Sequence, residues 1–123
     1  MKSIIIVDDN ITLLKLAQGV LTGTYRVLLA KSGEQALKIC SRQRPDLVLL
    51  DIEMPEMDGF EVLSRMRSPE MPELNRIPVV FLTAQQDHSL EALALERGAC
   101  DFLLKPFTKR DLLAHIAHHL RAT

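Results

Sequence analysis

Acidic side chains stand directly after two of the most apolar runs of this chain. Residues 4–7 lead into Asp8 and Asp9, and residues 47–50 lead into Asp51. Burying an unpaired charge is costly, so a strand that runs straight into a carboxylate indicates that the charge has a function. Clustered carboxylates repel one another, and a hard dication such as Mg²⁺, which prefers oxygen ligands, relieves that repulsion.

A hydroxyl group and an ammonium group follow two later apolar runs. Residues 79–82 lead into Thr83, and residues 102–104 lead into Lys105. A dication, an ammonium and a hydroxyl around one oxygen nucleophile would make a site for a phosphoryl group. An aspartate carboxylate is able to accept such a group covalently. Each residue alone could be a helix cap or a loop residue, and only their shared position at the ends of apolar runs favours one site.

Helical patterns alternate with the apolar runs along the whole chain. The predicted strands lie near residues 2–7, 25–30, 46–50, 77–82 and 100–104, and the predicted helices near 11–22, 33–43, 58–67, 87–97 and 109–121. Continuous apolar strands suit a parallel sheet that is covered on both faces, and the alternation predicts an open α/β sandwich. Ligands of such sheets bind beyond the carboxyl ends of the strands, where the polar residues described above lie.

Composition and charge exclude several classes of function. The 123 residues, 47% of them hydrophobic, predict one domain over residues 1–123. The formal net charge of −1 offers no basic excess for DNA phosphates, so we expect no direct contact with nucleic acid. The clean apolar runs span only four residues and the N-terminus does not resemble a signal peptide, so we expect no membrane span and a cytoplasmic location. Cys40 and Cys100 lack CxxC spacing and are expected to be buried free thiols.

Five short motifs carry a resemblance to a known family. They are Val7-Asp8-Asp9-Asn10, Leu50-Asp51-Ile52-Glu53-Met54-Pro55 with Asp58-Gly59 after it, Leu82-Thr83-Ala84, Gly98-Ala99-Cys100-Asp101-Phe102 and Lys105-Pro106-Phe107. In their order and spacing, the chain resembles the receiver (CheY-like) domain of two-component response regulators over essentially its whole length. The resemblance implies a flavodoxin-like three-layer sandwich, with a five-stranded parallel sheet of order 2-1-3-4-5 and five helices.

The resemblance also implies a phosphoacceptor site. Asp51 would accept a phosphoryl group from a histidine kinase or a histidine phosphotransfer protein. Asp9, Asp51 and the main-chain carbonyl of Glu53 would hold Mg²⁺, and Asp8 would assist through water. Lys105 would pair with the phosphoryl oxygens. Such a domain is a signalling module rather than an enzyme, although it assists its own phosphorylation and dephosphorylation.

A conformational switch is the third implication of the resemblance. Thr83 would move to hydrogen-bond the phosphoryl group, and Phe102 stands where the family has its switch aromatic residue. Because phenylalanine has no hydroxyl, its rotation can change only packing, and it could equally be a plain core residue. The face formed by the fourth helix, fifth strand and fifth helix would then control a downstream partner, a fused output domain or a phosphorylation-dependent homodimer. The resemblance favours a cis peptide at Lys105-Pro106, whereas trans is the default from sequence alone.

The first predicted helix carries apolar residues on two sides. The set expected to face the core follows the i, i+3, i+4, i+7 pattern and consists of Leu13, Leu16, Ala17 and Val20. Ile11 and Leu14 then lie on the other side, together with Gln18. We interpret Ile11 and Leu14 as a docking patch for the phosphodonor. The alternative is an ordinary surface, since isolated exposed apolar residues are common.

Two further features leave alternatives open. Glu53, two residues after Asp51, could tune the lifetime of a phosphoaspartate or could be a solvated loop acid. His115, His118 and His119 have the i, i+3, i+4 spacing that can bind a metal on one helix face. We interpret these histidines instead as boundary residues beside the apolar stripe of the last helix.

A rival class of protein uses similar groups. Haloacid-dehalogenase-type phosphatases, which are enzymes, also place an aspartate nucleophile, Mg²⁺, a hydroxyl and a lysine at strand ends. Their nucleophile follows the first strand, whereas Asp51 follows the third predicted strand, and this chain has no room for a substrate-covering cap. A receiver that has lost its chemistry and only dimerises is a further alternative, against which the complete set of polar residues argues. The sequence does not identify the kinase, the output, the oligomeric state or the phosphoaspartate lifetime, nor whether the domain stands alone.

Overall fold

Five parallel strands form a single sheet. The computed structural model describes residues 1–121. Its strands are β1 (Ser3–Val7), β2 (Arg26–Ala30), β3 (Leu47–Asp51), β4 (Val79–Thr83) and β5 (Asp101–Leu104). Their order across the sheet is β2-β1-β3-β4-β5, so the predicted order is confirmed. The carboxyl ends of all five strands therefore meet at one edge of the sheet, with β1, β3 and β4 at its centre.

Five helices connect and cover the strands. They are α1 (Ile11–Leu21), α2 (Gly33–Gln43), α3 (Gly59–Met66), α4 (His88–Glu96) and α5 (Lys109–Arg121). The predicted boundaries agree with these to within two residues at each end. The loop before β4 contains one turn of 3-10 helix, Pro72–Leu74, whose last residue is buried. The predicted α/β sandwich is thus confirmed element by element.

Successive residues of the central strands point into two separate cores. Ile5, Val48 and Phe81 belong to the core under α2, α3 and α4. Ile4 and Leu49 belong to the core under α1 and α5. Because side chains alternate across a strand, a strand that is apolar at every position must be covered on both faces. The three layers follow from that requirement, and they hold the strand ends at the site rigidly in place.

The face of α1 that packs on the sheet differs from the expected one. Its buried residues are Leu14, Ala17 and Leu21. Leu14 is only 3% exposed although it was expected on the outer side, and Leu16 is 67% exposed although it was expected in the core. Leu13 and Val20 are half-buried. Leucine occupies both stripes of this helix, so periodicity alone does not distinguish them, and packing against the sheet selects the stripe that ends at Leu21.

The remaining expectations about the backbone and the cysteines have mixed outcomes. The peptide between Lys105 and Pro106 is cis, as the resemblance implied. Cys40 is buried, but Cys100 is exposed directly before β5, so the expectation of two buried thiols holds only for Cys40. Among residues 1–121, none of the helices has the length and apolar character needed to cross a bilayer.

Candidate functional site

Asp51 is held at the centre of the sheet edge. It ends β3, which lies between β1 and β4, and its side chain is almost completely buried. The start of α3 presses against its main chain: a Cβ atom added to Gly59 would lie 2.6 Å from the carbonyl oxygen of Asp51. Asp58 begins α3 by accepting a hydrogen bond from the N–H of Glu61 at 2.9 Å. The Asp58-Gly59 motif therefore combines a helix cap with the close approach that only glycine permits.

Three carboxylates meet beside this strand end. Asp8, Asp9 and Asp51 each offer an oxygen atom, and these atoms lie within 4.8 Å of one another. Asp8 is buried and Asp9 is exposed. The N–H of Asn10 donates to Oδ1 of Asp8 at 2.9 Å and so orients that carboxylate. A cluster of carboxylate oxygens that is partly buried and partly open has the ligand chemistry that a hard dication such as Mg²⁺ requires.

Lys105 neutralises part of this negative charge. Its Nζ donates to Oδ2 of Asp8 at 2.7 Å and lies 3.2 Å from Oδ1 of Asp51. Burial disfavours the ammonium, but the hydrogen bond to Asp8 and the nearby charge of Asp51 outweigh it and raise the pKa of Lys105. The ammonium therefore stays charged at neutral pH between the carboxylates of Asp8 and Asp51.

The Asp51 carboxylate is electrostatically strained. Burial, followed by the charge of Asp8, raises its pKa to about 6. Lys105 and the N–H of Glu53 oppose this effect but do not cancel it. An ionised Asp51 is therefore unusually responsive to any cation that binds beside it.

Thr83 lies on the strand beside β3, and its hydroxyl is turned toward a loop. It ends β4, in which Leu82 pairs with Asp51 in the sheet register, and its side chain is fully buried. Its hydroxyl donates to Oε1 of Glu53 at a long distance of 3.5 Å and accepts from the N–H of Gln85 at 3.1 Å. The structure thus brings Thr83 to the site while engaging its hydroxyl with Glu53 and Gln85.

An open cavity of about 200 Å³ connects the carboxylates and Lys105, whereas the buried Thr83 does not line it. It is lined by Asp8, Asp9, Asn10, Asp51, Glu53, Ala84 and Lys105. No site role was predicted for Asn10, although the structure shows two. Its side chain begins α1 by accepting from the N–H groups of Thr12 and Leu13, while its own N–H positions Asp8. The sequence did contain a signal for the capping role, because an asparagine between the end of a strand and the start of a helical pattern is a strong N-cap candidate.

The structure places the other predicted residues outside this cavity. Phe102 is half-buried in the edge strand β5 and packs against the core under α2, α3 and α4. Ile11 is exposed at the start of α1, as a docking residue must be. Leu14 is buried against the sheet, so its assignment to an exposed docking patch is wrong. A leucine that packs into the core is not accessible to a partner.

An apolar groove that the sequence did not reveal borders the site. Its volume is about 380 Å³, and it runs between α1 and the segment that follows β5. Its apolar lining includes Leu13, Leu16, Val20 and Phe107, and Lys105 also lines it. The groove exists because α1 packs by the stripe that contains Leu14, which leaves Leu16 facing outward.

Comparison with known protein families agrees with this geometry. The model of the response regulator receiver domain matches residues 4–117. The chain is 36% identical over 121 residues to the alkaline phosphatase synthesis transcriptional regulatory protein PhoP of Bacillus subtilis, covering 98% of this chain and 49% of PhoP. It is 37% identical over 123 residues to the response regulator MprA of Mycobacterium leprae, covering 100% and 52% of the two chains. A probable cyclic di-GMP phosphodiesterase of Vibrio cholerae is 39% identical over 119 residues, covering 97% and 26%.

Solved structures give the same answer at the level of the fold. The chemotaxis protein CheY4 of Vibrio cholerae superposes with a TM-score of 0.90 at 28% identity, covering 96% of this chain and 98% of that one. A CheY-like receiver domain protein of Methanospirillum hungatei gives a TM-score of 0.88 at 28% identity, covering 99% and 95%. The chain spans about half the length of PhoP and MprA. With carboxylates after β1 and β3 and a lysine after β5, and with a match over nearly its whole length, this chain belongs to the response regulator receiver domain family.

Proposed function

We propose that Asp51 accepts a phosphoryl group from a histidine kinase or a histidine phosphotransfer protein, in a reaction that requires Mg²⁺. The arrangement that supports this proposal is the buried Asp51 carboxylate flanked by two further carboxylates and by the ammonium of Lys105. Residues 1–123 then form one receiver domain that signals and whose only chemistry is to assist its own phosphorylation and dephosphorylation.

The site residues divide the reaction among them. In the proposed transfer, a carboxylate oxygen of Asp51 forms a bond to phosphorus, the bond from phosphorus to the donor nitrogen breaks, and the electron pair returns to the donor imidazole. The side chains of Asp8, Asp9 and Asp51 with the carbonyl of Glu53 would hold Mg²⁺, which supplies charge neutralisation when bound. Lys105 exchanges its contact with Asp51 for the phosphoryl oxygens, so catalysis consists of positioning and charge stabilisation.

A small phosphodonor tests this chemistry directly. The protein is incubated with Mg²⁺ and acetyl phosphate, its intact mass is measured, and the Asp51→Asn variant serves as the control. We expect a gain of one phosphoryl group that requires both Mg²⁺ and Asp51. If a folded protein gained none from acetyl phosphate or from a panel of phosphohistidine proteins, it would be a receiver that has lost its chemistry, and the proposal would be wrong.

We further propose a switch from Thr83 to the face formed by α4, β5 and α5. On phosphorylation, Thr83 gives up its long hydrogen bond to Glu53 and bonds to the phosphoryl group, and Phe102 repacks. The loose packing of α4 supports this proposal, because Ala94 is its one fully buried residue. Leu95 on α4 and Leu104 on β5 are also exposed apolar residues on this face. The changed face would then control a downstream partner, an attached output domain or a phosphorylation-dependent homodimer.

Amide NMR spectra of the phosphorylated and unphosphorylated protein test the switch. We expect shifts on α4, β5 and α5 that are reduced in Thr83→Ala, a variant that keeps Asp51 as acceptor. Identical spectra on that face in the two states would contradict the proposal. Size-exclusion chromatography of the same samples separates a homodimer from a change confined to the monomer.

The apolar groove beside the site suggests where the phosphodonor docks. We propose that a helix of the donor lies along this groove against Leu16 and meets the exposed Ile11 beside it, because Lys105 lines both the groove and the cavity that contains Asp51. Ile11→Glu and Leu16→Glu should slow transfer from the donor protein and leave phosphorylation by acetyl phosphate unchanged. Leu95→Glu, on α4, is the matched control for adding charge to an exposed apolar residue. Equal transfer rates for all these variants would remove the docking proposal.

We also infer that the domain works in the cytoplasm and binds neither nucleic acid nor membranes directly. Cys40 and Cys100 are both free thiols, which suit a reducing compartment. The formal net charge of −1 favours no anionic surface as a partner.

A further inference from the structure

The side chain of Arg67 joins two loops at the edge of the sheet opposite to the candidate site. Arg67 directly follows α3 and ends that helix by donating its main-chain N–H to the carbonyl of Leu63 at 3.0 Å. In its guanidinium, Nη1 donates to the carbonyl of Leu74 at 3.1 Å, and Nη2 donates to those of Ile77 at 2.8 Å and Gly98 at 3.3 Å. Leu74 and Ile77 precede β4, whereas Gly98 lies between α4 and β5. One side chain therefore connects both loops.

Carbonyl oxygens hold this half-buried cation. Burial lowers the pKa of Arg67, and within residues 1–121 its guanidinium forms no ion pair with a carboxylate. Arg65, two residues earlier, instead forms an exposed ion pair with Glu61 at 3.2 Å. A planar guanidinium carries five N–H donors in a fixed fork, so it can bind the carbonyls of separate loops at the same time. The contacts of Arg67 therefore indicate a connection between loops rather than the pairing of charges.

The C-terminal end of α4 is fixed at the same place. Gly98 ends this helix with a φ of +108°, and a Cβ atom added to it would lie 3.4 Å from Nε of Arg67. The N–H of Gly98 donates to the carbonyl of Leu95 at 3.1 Å, and that of Ala99 donates to Ala94 at 3.0 Å. Ala94 and Ala99 are both buried. Glycine thus provides the turn after the helix and leaves room for the guanidinium.

The N-terminal end of α4 is packed much less tightly. Residues 88–92 include no buried residue, and Leu90 alone among them is half-buried. The cap, Asp87, is exposed and accepts hydrogen bonds from N–H groups of the helix's own first turn. This end follows the short loop after Thr83, so it lies near the candidate site, whereas Gly98 lies at the opposite edge of the sheet. The helix is therefore held at one end and loosely packed at the end near the phosphoacceptor.

We propose that Arg67 is a positioning residue that anchors the C-terminal end of α4, so that this helix pivots about Gly98 when its N-terminal end is displaced. The anchor is a property of the unphosphorylated protein, whereas the displacement rests on the proposed switch at Thr83. A pivot moves the first turn of α4 furthest and its last turn least. A partner that distinguishes the two states must therefore contact the first turn of α4.

Amide hydrogen exchange of the unphosphorylated protein tests the anchor. Arg67→Lys keeps the charge but loses the planar fork, so we expect the amides of Gly98 and Ala99 to exchange on the order of tenfold faster than in the wild type. The amide of Val62, in α3, should change less, which separates a local effect from a general loss of stability. Arg65→Lys is the matched control and should keep the wild-type rates.

Three results would overturn the anchor. One is unchanged exchange at Gly98 and Ala99 in Arg67→Lys. Another is an equal increase at Val62, which would mean that the substitution only destabilises the whole fold. The third is an equal increase in Arg65→Lys, since that substitution leaves the connection between the loops intact.

Amide NMR spectra after phosphorylation by acetyl phosphate with Mg²⁺ test the pivot. In the wild type, the shifts should be largest in the first turn of α4 and smallest at Gly98 and Ala99. In Arg67→Lys, the shifts at Gly98 and Ala99 should increase, which proximity to the phosphoryl group does not explain, and the rate of phosphorylation should be unchanged. Equal shifts at both ends of α4 in the wild type, or no increase in the variant, would overturn the pivot.

The two measurements distinguish a failure of this proposal from a failure of the proposed switch. If phosphorylation shifted no amide of α4, the switch would be wrong and the pivot with it. The exchange rates of the unphosphorylated protein would still decide whether Arg67 anchors the helix, because they require no phosphoryl group.

Discussion

Single side chains at this site carry charges that burial opposes, and Asp51 is the main example. Its pKa is raised from 3.8 to about 6, so the folded protein holds a proton that the unfolded chain has already released in this range. The folded state therefore loses stability as the pH rises from about 4 through about 6, because a state that binds more protons is weakened by their removal. When neither Mg²⁺ nor a phosphoryl group is bound, the negative charge of Asp51 therefore destabilises the folded state.

Removing the charge of Asp51 should stabilise the protein. We expect the free energy of unfolding of Asp51→Asn without Mg²⁺ to exceed that of the wild type at about pH 8 by roughly 1–3 kcal/mol. The difference should fall to a small part of that value near pH 4, where Asp51 is protonated in the folded state and partly protonated in the unfolded chain. Urea unfolding at the two pH values measures it. A less stable Asp51→Asn at the higher pH would show that the attraction to Lys105 outweighs burial and the repulsion from Asp8.

Glu53 should shorten the lifetime of the phosphoaspartate. Its carboxylate lines the cavity and holds the hydroxyl of Thr83, so it competes with the phosphoryl group for that hydroxyl and repels its charge. We expect Glu53→Ala to lengthen the lifetime on the order of threefold to tenfold, as the loss of about 1 kcal/mol of interaction would. Decay of the phosphorylated intact mass measures it, with Glu56→Ala in the same exposed loop as the control. Equal lifetimes for the wild type and Glu53→Ala would leave Glu53 as a solvated loop acid.

At the scale of elements, the contact between β3 and the start of α3 positions the nucleophile. The N–H of Gly59 donates to the carbonyl of Ile52 at 2.9 Å, and no side chain fits between the two elements. An added Cβ would lie 2.9 Å from the ring of Phe81 and closer still to the main chain of Asp51. The strand β3 and the start of α3 therefore pack this closely only because residue 59 has no side chain.

Two glycine substitutions should have opposite effects. Gly59→Ala forces β3 and α3 apart, so we expect a loss of roughly 1–3 kcal/mol in the free energy of unfolding and slower phosphorylation of Asp51. Gly19, in the exposed part of α1, has no atom within 4 Å of an added Cβ. Gly19→Ala should therefore stabilise the protein by up to about 1 kcal/mol through helix propensity. Urea unfolding and the acetyl phosphate assay compare them, and equal effects would show that the close contact at Gly59 does not limit stability or phosphorylation.

At the scale of the whole molecule, packing is uneven across the sheet. The strands β1, β3 and β4 are buried along almost their whole length, whereas β5 is an edge strand that is only partly covered. The helices that pack on these strands also differ in how many of their residues are buried. Four residues of α3 are buried, and in the slightly longer α4 only Ala94 is. The part of the molecule that would read out phosphorylation is therefore the part with the weakest packing.

Amide hydrogen exchange should reveal this gradient. We expect the amides of α4 to exchange through local opening, well before those of α3 and β3, which should exchange only on global unfolding. The two helices are of similar length and face the same core, so each is the control for the other. Equal protection of α3 and α4 in the unphosphorylated protein would remove the basis for assigning the switch to α4.

The amino-acid sequence by itself determined the elements and the residues at their ends. The apolar runs end sharply at Asp8, Asp51, Thr83 and Lys105, and parallel strands bring their carboxyl ends to one edge, so a common site followed from local pattern and one rule of topology. The strand order and the metal ligands came from the resemblance rather than from periodicity.

Only the tertiary structure decided the matters that depend on contacts between distant elements. It selected the stripe of α1 that packs on the sheet, and so buried Leu14 and exposed Leu16. It also paired Thr83 with Glu53 and brought His115 and His119 to Asp101. Periodicity describes one element at a time, whereas these outcomes depend on how far each element is rotated against its neighbours, and that rotation exists only once the layers have packed.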